Sequence, residues 1–109
     1  MTLVVEDDYV IADALGQELE AAGAEVVGPA PDMAAALALL AEGAVDAAVL
    51  DVNLGGEMAW PVADALLARG VSFVFATGYD ASVIPARYAS VACCEKPVGL
   101  AEIARALAG

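Results

Sequence analysis

The sequence has no histidine, two cysteines and four basic residues among its 109 positions. Zinc sites are built from spaced cysteines and histidines, and because Cys93 and Cys94 are adjacent, the chain shows no such pattern. Both cysteines fall in a predicted strand, whose successive side chains point to opposite faces. We therefore expect two small buried side chains here, without a disulfide between them.

Positive charge is scarce, since sixteen acidic residues against four basic ones give a formal net charge of -12. A surface of this charge repels phosphate backbones, which disfavours direct nucleic-acid binding. Although 61% of the residues are hydrophobic, no apolar run approaches the roughly 20 residues of a membrane-spanning helix. No basic segment precedes the first apolar run, so no secretory signal peptide is predicted. We expect a soluble, cytoplasmic protein that binds neither nucleic acid nor membrane.

The sequence does contain a regular alternation of short β-branched runs and longer Ala/Leu-rich runs, over a length that suits one domain, residues 1–109. Nearly unbroken apolar character, typical of strands buried on both faces, predicts strands at residues 3–5, 25–27, 47–50, 72–76 and 91–94. A glycine follows each of three predicted helices, at residues 10–22, 32–42 and 58–69. A weaker fourth helix at residues 81–89 contains Pro85, and a fifth is predicted at residues 100–107.

Five strands that alternate with helices through short connections predict an α/β fold, with a doubly wound, mostly parallel sheet and helices on both faces. In such sheets ligands bind beyond the carboxyl ends of the strands. Four of the five predicted strands are followed there by residues with polar side chains. These are Glu6, Asp7 and Asp8; Asp51 and Asn53; Thr77, which precedes Gly78; and Lys96, which precedes Pro97. The second strand runs into a Gly-Pro-Ala-Pro segment without a functional group, which suits an edge strand.

If these strand ends meet at one edge, their carboxylates repel one another, and a bound cation would offset this repulsion. Oxygen ligands without His or Cys favour a hard ion, and Mg²⁺ accepts two carboxylates, a carbonyl and several waters. Simpler roles are also open. Asp8 and Asp32 are well placed to cap helices. Thr77 could be a structural hydroxyl at the end of a strand, and Lys96, the only lysine, could be a solvated surface residue.

Four short segments carry a resemblance to a known family. They read Val-Val-Glu-Asp-Asp at residues 4–8, Val-Leu-Asp-Val-Asn-Leu at 49–54, Ala-Thr-Gly at 76–78 and Glu-Lys-Pro at 95–97. In order and spacing they resemble the signature segments of response-regulator receiver domains of two-component signalling, over essentially the whole chain. The resemblance implies a flavodoxin-like (βα)5 fold with five parallel strands in the order 2-1-3-4-5.

The resemblance also implies roles for the matching residues. Asp51 corresponds to the phosphoacceptor, Asp7 and Glu6 to the acidic pair around Mg²⁺, and Asn53 to the residue whose main-chain carbonyl binds the metal. Thr77 and Lys96 correspond to the groups that bind the phosphoryl oxygens. Such a domain takes its phosphoryl group from a histidine kinase or a histidine phosphotransfer protein and then switches the binding of a downstream protein. It is not an enzyme, since it promotes only its own phosphorylation and dephosphorylation.

One position departs from the family pattern. Most receivers carry Tyr or Phe three residues before the lysine, as a rotamer switch, and this chain has Cys93. Residues 73–79 instead resemble the Phe-x-Phe-Ala-Thr-Gly-Tyr subgroup, although Ser72 replaces its usual preceding proline. That subgroup resembles stand-alone receivers paired with sensor histidine kinases. We expect Thr77 and Tyr79 to act as the switch, with residues 78–90 as the responding segment.

Three other functions are compatible with parts of the pattern. A degenerate receiver could act as an adaptor without phosphorylation, but the acidic, Thr and Lys set is complete. An aspartyl-phosphate phosphohydrolase usually needs a second Asp two residues after the nucleophile, where this chain has Asn53. A flavodoxin-type electron carrier, suggested by fold analogy alone, would place its flavin phosphate against the acidic residues 6–8.

Overall fold

The structure, a computed structural model, describes residues 1–77 and 84–95. Its main sheet has five parallel strands in the spatial order β2-β1-β3-β6-β7. They are β1 Thr2–Val5, β2 Val26–Ala30, β3 Ala47–Asp51, β6 Ser72–Thr77 and β7 Cys93–Glu95. Since β6 and β7 are the fourth and fifth strands of this sheet, the predicted doubly wound fold and its strand order are confirmed.

Within residues 1–77 and 84–95, the remaining elements are three α-helices, a 3₁₀ helix and a small antiparallel hairpin. The helices are α1 Tyr9–Ala21, α2 Met33–Ala41 and α3 Trp60–Ala68, with the 3₁₀ helix at Ala86–Tyr88. The hairpin pairs β4 Asn53–Leu54 with β5 Glu57–Met58. Among the described residues, no helix is long and apolar enough to cross a membrane.

Alternate side chains of the strands build two separate cores, because neighbouring side chains in a strand point to opposite faces. Leu3, Leu50 and Phe75 belong to the larger core, which α2 and α3 cover through residues such as Leu40 and Leu66. On the other face, one apolar group joins Val4 to Ala12 and Leu19 of α1, and another joins Val49, Val74 and Ala76 to Leu15. The three central strands, β1, β3 and β6, are therefore buried on both faces, as their apolar runs predict.

Two aspartates cap helices as the sequence predicts. The Asp8 carboxylate accepts hydrogen bonds from the backbone N–H groups of Val10, at 3.0 Å, and Ile11, at 3.3 Å. Asp32 caps α2 by accepting from the N–H of Ala35 at 2.8 Å. Each carboxylate satisfies donors that the first helical turn leaves unpaired.

The predicted third helix begins too early. Residues 57 and 58 form β5 instead, and the helix starts at Trp60, with Pro61 in its first turn, where a missing N–H costs nothing. The apolar side chain of Met58 suits either structure, so local pattern alone gave the wrong start.

The second strand is longer than predicted and continues to Ala30 through the segment that reads as a loop. Its pairing with β1 shifts register between Leu3 and Val5. Gly28, with φ +99, makes this possible: a Cβ there would lie 2.8 Å from the Ala30 nitrogen and 2.9 Å from the Val4 carbonyl oxygen. The strand lies at the edge of the sheet, as predicted, where a proline is tolerated.

Cys93 and Cys94 lie in β7. Cys94 is buried, and Cys93 is half-buried against the larger core, opposite Phe75 of β6. Both carry thiols. The predicted burial is confirmed for Cys94, whereas Cys93 is only partly buried.

The segment after Pro85 is fastened to α3 through Tyr88. The Tyr88 hydroxyl donates its proton to the Asp64 carboxylate and also lies 3.2 Å from the Trp60 carbonyl oxygen. Arg87 pairs with the same Asp64 carboxylate at 3.2 Å. The pKa of Asp64 is lowered mainly by the hydrogen bond from Tyr88 and to a lesser extent by the one from Arg87. The pKa of Tyr88 is raised mainly by burial and to a lesser extent by its hydrogen bond to Asp64. This part of the predicted fourth helix is a short 3₁₀ turn with a buried anchor. Residues 81–83 and the predicted fifth helix lie outside the described residues.

Candidate functional site

Three carboxylates converge at the carboxyl ends of β1 and β3. One oxygen each of Glu6, Asp7 and Asp51 lies within 4.8 Å of the others. Glu6 is 4% exposed and Asp51 6% exposed, whereas Asp7 is exposed. Two of the three negative groups are thus largely removed from water, in a place where their charges repel.

The sheet itself creates this convergence. Val5 of β1 pairs with Leu50 of β3 in parallel register, so Glu6 and Asp51, the next residue of each chain segment, arrive side by side. The Glu6 N–H donates to the Ala30 carbonyl of β2 at 3.0 Å, which extends the ladder to the site. Chain direction and register alone bring together acids that are 45 positions apart in sequence.

Thr77 lies one strand further along the same edge. Asp51 pairs with Ala76 of β6, and Thr77, the next residue, is fully buried and pairs with Glu95 of β7. The Val52 N–H donates to the Ala76 carbonyl at 3.3 Å, which ties the end of β3 to β6. Lys96 follows Glu95 directly in sequence. Lys96 and Tyr79 lie outside the described residues.

Backbone N–H groups surround the acidic cluster. Asn53 donates to the Asp51 carboxylate at 3.4 Å, and Asp8 donates to that of Glu6 at 3.3 Å. Gly55 donates to Asp7 Oδ2 at 2.8 Å. These dipoles supply partial positive charge to carboxylates that repel one another.

The contact between Gly55 and Asp7 was not predicted from the sequence. It depends on the β4–β5 hairpin, in which Gly55 and Gly56 have φ +60 and +93. Two successive residues with positive φ are typical of the tight turn that joins two antiparallel strands. The Gly-Gly pair is therefore the signal that could have indicated the hairpin, although strands of two residues show no periodicity.

A hard cation fits the donor set. The cluster consists of oxygen donors only, its three acids carry like charge, and their oxygens lie close enough to share one ion. Glu6, Asp7 and Asp51 could hold such a metal, and Asn53 begins the hairpin immediately beside them. The structure thus offers two buried acids, one exposed acid and a buried hydroxyl at one edge of a parallel sheet.

A five-stranded parallel sheet with its polar groups at the carboxyl ends of the strands defines a doubly wound α/β domain with a site at that edge. Within this class, the response regulator receiver domain family matches residues 2–108. The chain belongs to this family, whose members are signalling domains, and the resemblance predicted from its four segments is confirmed.

Solved structures agree with the assignment. The chain is similar to SdrG from Sphingomonas melonis Fr1, with 43% identity and a TM-score of 0.87 over 99% of this chain and 92% of that one. The BeF3-activated conformation of SdrG from Pseudomonas melonis Fr1 has 44% identity and a TM-score of 0.81 over 98% and 92% of the two chains. No curated protein matches the sequence.

A more distant structure shows the fold alone. It is a response regulator from Burkholderia pseudomallei with a phosphorylated aspartic acid, a calcium ion and citrate. It has 23% identity and a TM-score of 0.87 over 97% of this chain and 65% of that chain.

Proposed function

We propose that residues 1–109 form one receiver domain that accepts a phosphoryl group on Asp51 from a histidine kinase or a histidine phosphotransfer protein in the cytoplasm. The observation that carries the proposal is the convergence of Glu6, Asp7 and Asp51 at the carboxyl ends of β1 and β3, in a chain of the receiver family. Phosphorylation would then change the binding of a downstream protein.

In the proposed reaction, a carboxylate oxygen of Asp51 attacks the phosphorus of a phosphohistidine. The new P–O bond forms as the P–N bond breaks, and the freed imidazole nitrogen takes up a proton. Asp51 suits this role because it is held at the strand end by its β-sheet neighbours and by the N–H of Asn53. Thr77 and Lys96 are proposed to bind the oxygens of the transferred group.

The same acids are proposed to hold Mg²⁺, through Asp7, Asp51, Glu6 and the main-chain carbonyl of Asn53. When bound, Mg²⁺ neutralises charge on the phosphoryl oxygens. The protein contributes the fixed oxygen donors and the N–H groups that orient them. A relative with 44% identity that adopts a BeF3-activated conformation supports the proposal, because beryllofluoride mimics a phosphoryl group on a carboxylate.

Asp7→Ala should weaken Mg²⁺ binding and slow phosphorylation, because it removes one oxygen donor while its neighbours still repel each other. Mg²⁺ at about ten times its Kd should raise the free energy of unfolding of the wild-type protein by about 1.4 kcal/mol. Asp7→Ala should lose most of this gain. Thermal melting with and without Mg²⁺ measures the first effect, and intact mass after acetyl phosphate treatment measures the second.

Asp13→Ala is the matched control for this experiment, since Asp13 is an exposed acid of α1 outside the cluster. It should respond to Mg²⁺ and to acetyl phosphate as the wild-type protein does. An undiminished Mg²⁺ response in Asp7→Ala would place the ion elsewhere. Wild-type protein that gains no phosphoryl mass would favour the adaptor without phosphorylation.

We propose Thr77 and Tyr79 as the switch, because Cys93 is too small to act as the usual aromatic ring. A phosphoryl group on Asp51 would draw in Thr77 and, through Gly78, reorient the backbone at Tyr79. With beryllofluoride bound, residues 78–90 should show the largest changes in NMR amide exchange outside the acidic cluster. Tyr79→Ala should abolish these changes without preventing phosphorylation. Residues 78–90 that keep the same exchange rates in both states would rule out this route.

A further inference from the structure

Asp7 is attached to a part of the chain far from it in sequence. Its Oδ2 accepts the N–H of Gly55 at 2.8 Å, across 48 positions. Gly55 belongs to the turn of the β4–β5 hairpin, which follows directly on Asp51 and Val52. Asp7, the exposed acid of the cluster, is thus hydrogen-bonded to the loop that follows Asp51, the proposed phosphoacceptor.

The turn has its own internal support. Gly56 donates its N–H to Asn53 Oδ1 at 2.8 Å, while Asn53 pairs with Met58 and Leu54 with Glu57. Both glycines have positive φ, which other residues adopt only with strain. The side chain of Asn53 therefore closes the turn that presents the Gly55 N–H to Asp7.

We propose that this hairpin, residues 53–58, is a positioning element for the cation site, and that Gly56 and the Asn53 side chain act through Gly55 to orient the Asp7 carboxylate. The inference rests on the proposed function. A carboxylate already fixed by an N–H donor loses less rotational freedom when it binds an ion, so its affinity is higher. Such supporting contacts typically change metal affinity by about 10- to 100-fold.

The coupling must also run in the opposite direction, because linkage between two sites is reciprocal. Mg²⁺ bound beside Asp7 should stabilise the hairpin, and loss of the Asp7 carboxylate should loosen the turn even without metal. The amide proton shifts of Gly55 and Gly56 report both effects, since they respond to the hydrogen bonds that these groups donate.

Gly56→Ala tests the proposal against a closely matched control, Gly23→Ala. Gly56 has φ +93 and Gly23 has φ +96, and an added Cβ at either position meets nothing within 4 Å. The two substitutions thus impose the same kind of backbone strain, one in the hairpin turn and one after α1. NMR titration with Mg²⁺ should give a Kd about tenfold higher for Gly56→Ala and an unchanged Kd for Gly23→Ala.

Side-chain variants separate the two contacts. Asn53→Ala keeps its main-chain carbonyl but removes the acceptor for Gly56, so it should also weaken Mg²⁺ binding. Asn53→Ser should restore part of the affinity, because a hydroxyl oxygen can accept the same N–H. In metal-free protein, Asp7→Ala should shift the Gly55 amide proton, whereas Asp13→Ala should not.

Equal Mg²⁺ affinities for Gly56→Ala and Gly23→Ala would overturn the positioning role alone and leave the proposed function standing. A Gly55 amide proton that is unaffected by Asp7→Ala would overturn it as well. Wild-type protein that binds no Mg²⁺ would overturn the cation site of the proposed function and this inference with it.

Discussion

Asp51→Asn is expected to abolish phosphorylation by acetyl phosphate in the presence of Mg²⁺. The substitution keeps the shape of the side chain and an oxygen that can accept the Asn53 N–H, at 3.4 Å from Asp51 Oδ1. It removes the nucleophilic carboxylate, so no acyl phosphate can form. Asp51 is only 6% exposed and adjoins Glu6 and Asp7, so a substitution of the same shape is used to preserve the packing around it.

Asp8→Asn is the control for this prediction. Asp8 is exposed, follows the cluster acid Asp7 and caps α1, and asparagine is an equally good cap. Intact mass spectrometry should show one added phosphoryl group on Asp8→Asn and on the wild-type protein, and none on Asp51→Asn. An equal mass gain in all three would contradict the assignment of the phosphoacceptor.

Tyr88→Ala should lower the free energy of unfolding by about 3–5 kcal/mol, the usual cost of removing a buried aromatic side chain. Tyr88 is 1% exposed. Its ring stacks on Trp60 at a centroid distance of 5.5 Å and meets Phe75 edge-on at 5.4 Å. This loss would be a large part of the free energy of unfolding of a typical domain, which is about 5–15 kcal/mol. Urea unfolding measures it.

Tyr88→Phe separates packing from hydrogen bonding at this position. It retains the ring and removes only the hydroxyl that binds Asp64 and the Trp60 carbonyl, so it should cost about 1 kcal/mol. Asp64 is exposed and keeps its pairing with Arg87, so Tyr88→Phe should cause only a small loss of stability. If Tyr88→Ala were no less stable than Tyr88→Phe, the ring would not be the anchor of this segment.

The anchor bears on the proposed switch. The sequence predicts a weakly held fourth helix at residues 81–89, because Pro85 interrupts it. In the described part of that segment, Tyr88 instead packs into the core beneath β6, next to Phe75, two residues before Thr77. A conformational change that extends from Thr77 beyond Pro85 would therefore have to move Tyr88 relative to Asp64 and Trp60.

Local pattern predicted those parts of the fold that depend on neighbouring residues. Apolar runs located the five strands of the main sheet, since burial on both faces leaves few polar positions. The caps at Asp8 and Asp32 were predicted because their donors lie two or three residues away. The order of the strands came from the family resemblance.

The features that the sequence did not indicate depend on distant contacts. The Gly55 N–H meets Asp7 across 48 positions, and the Tyr88 hydroxyl meets Asp64 across 24. Residues 28–30 read as a loop, yet they continue β2, because Ala30 pairs with Val5 of β1 beyond a register shift. Such contacts exist only once the sheet has formed, so no local periodicity reveals them.

The acidic cluster was predictable for a different reason. In parallel strands, whichever residues follow the apolar runs must meet at one edge, so Glu6, Asp7 and Asp51 could be grouped before any geometry was known. Thr77 lies at the same edge, fully buried. The roles of all these residues stay predictions, and Lys96 and Tyr79 also lie outside the described residues.

Chemical trapping of the phosphorylated residue tests the central claim most directly. Wild-type protein treated with a phosphoramidate and Mg²⁺ can be reduced with borohydride, which converts an aspartyl phosphate to homoserine, and then mapped by peptide mass spectrometry. The proposed function predicts homoserine at position 51 and at no other aspartate, and only when Mg²⁺ is present. Homoserine at another position, or none after full treatment, would contradict it.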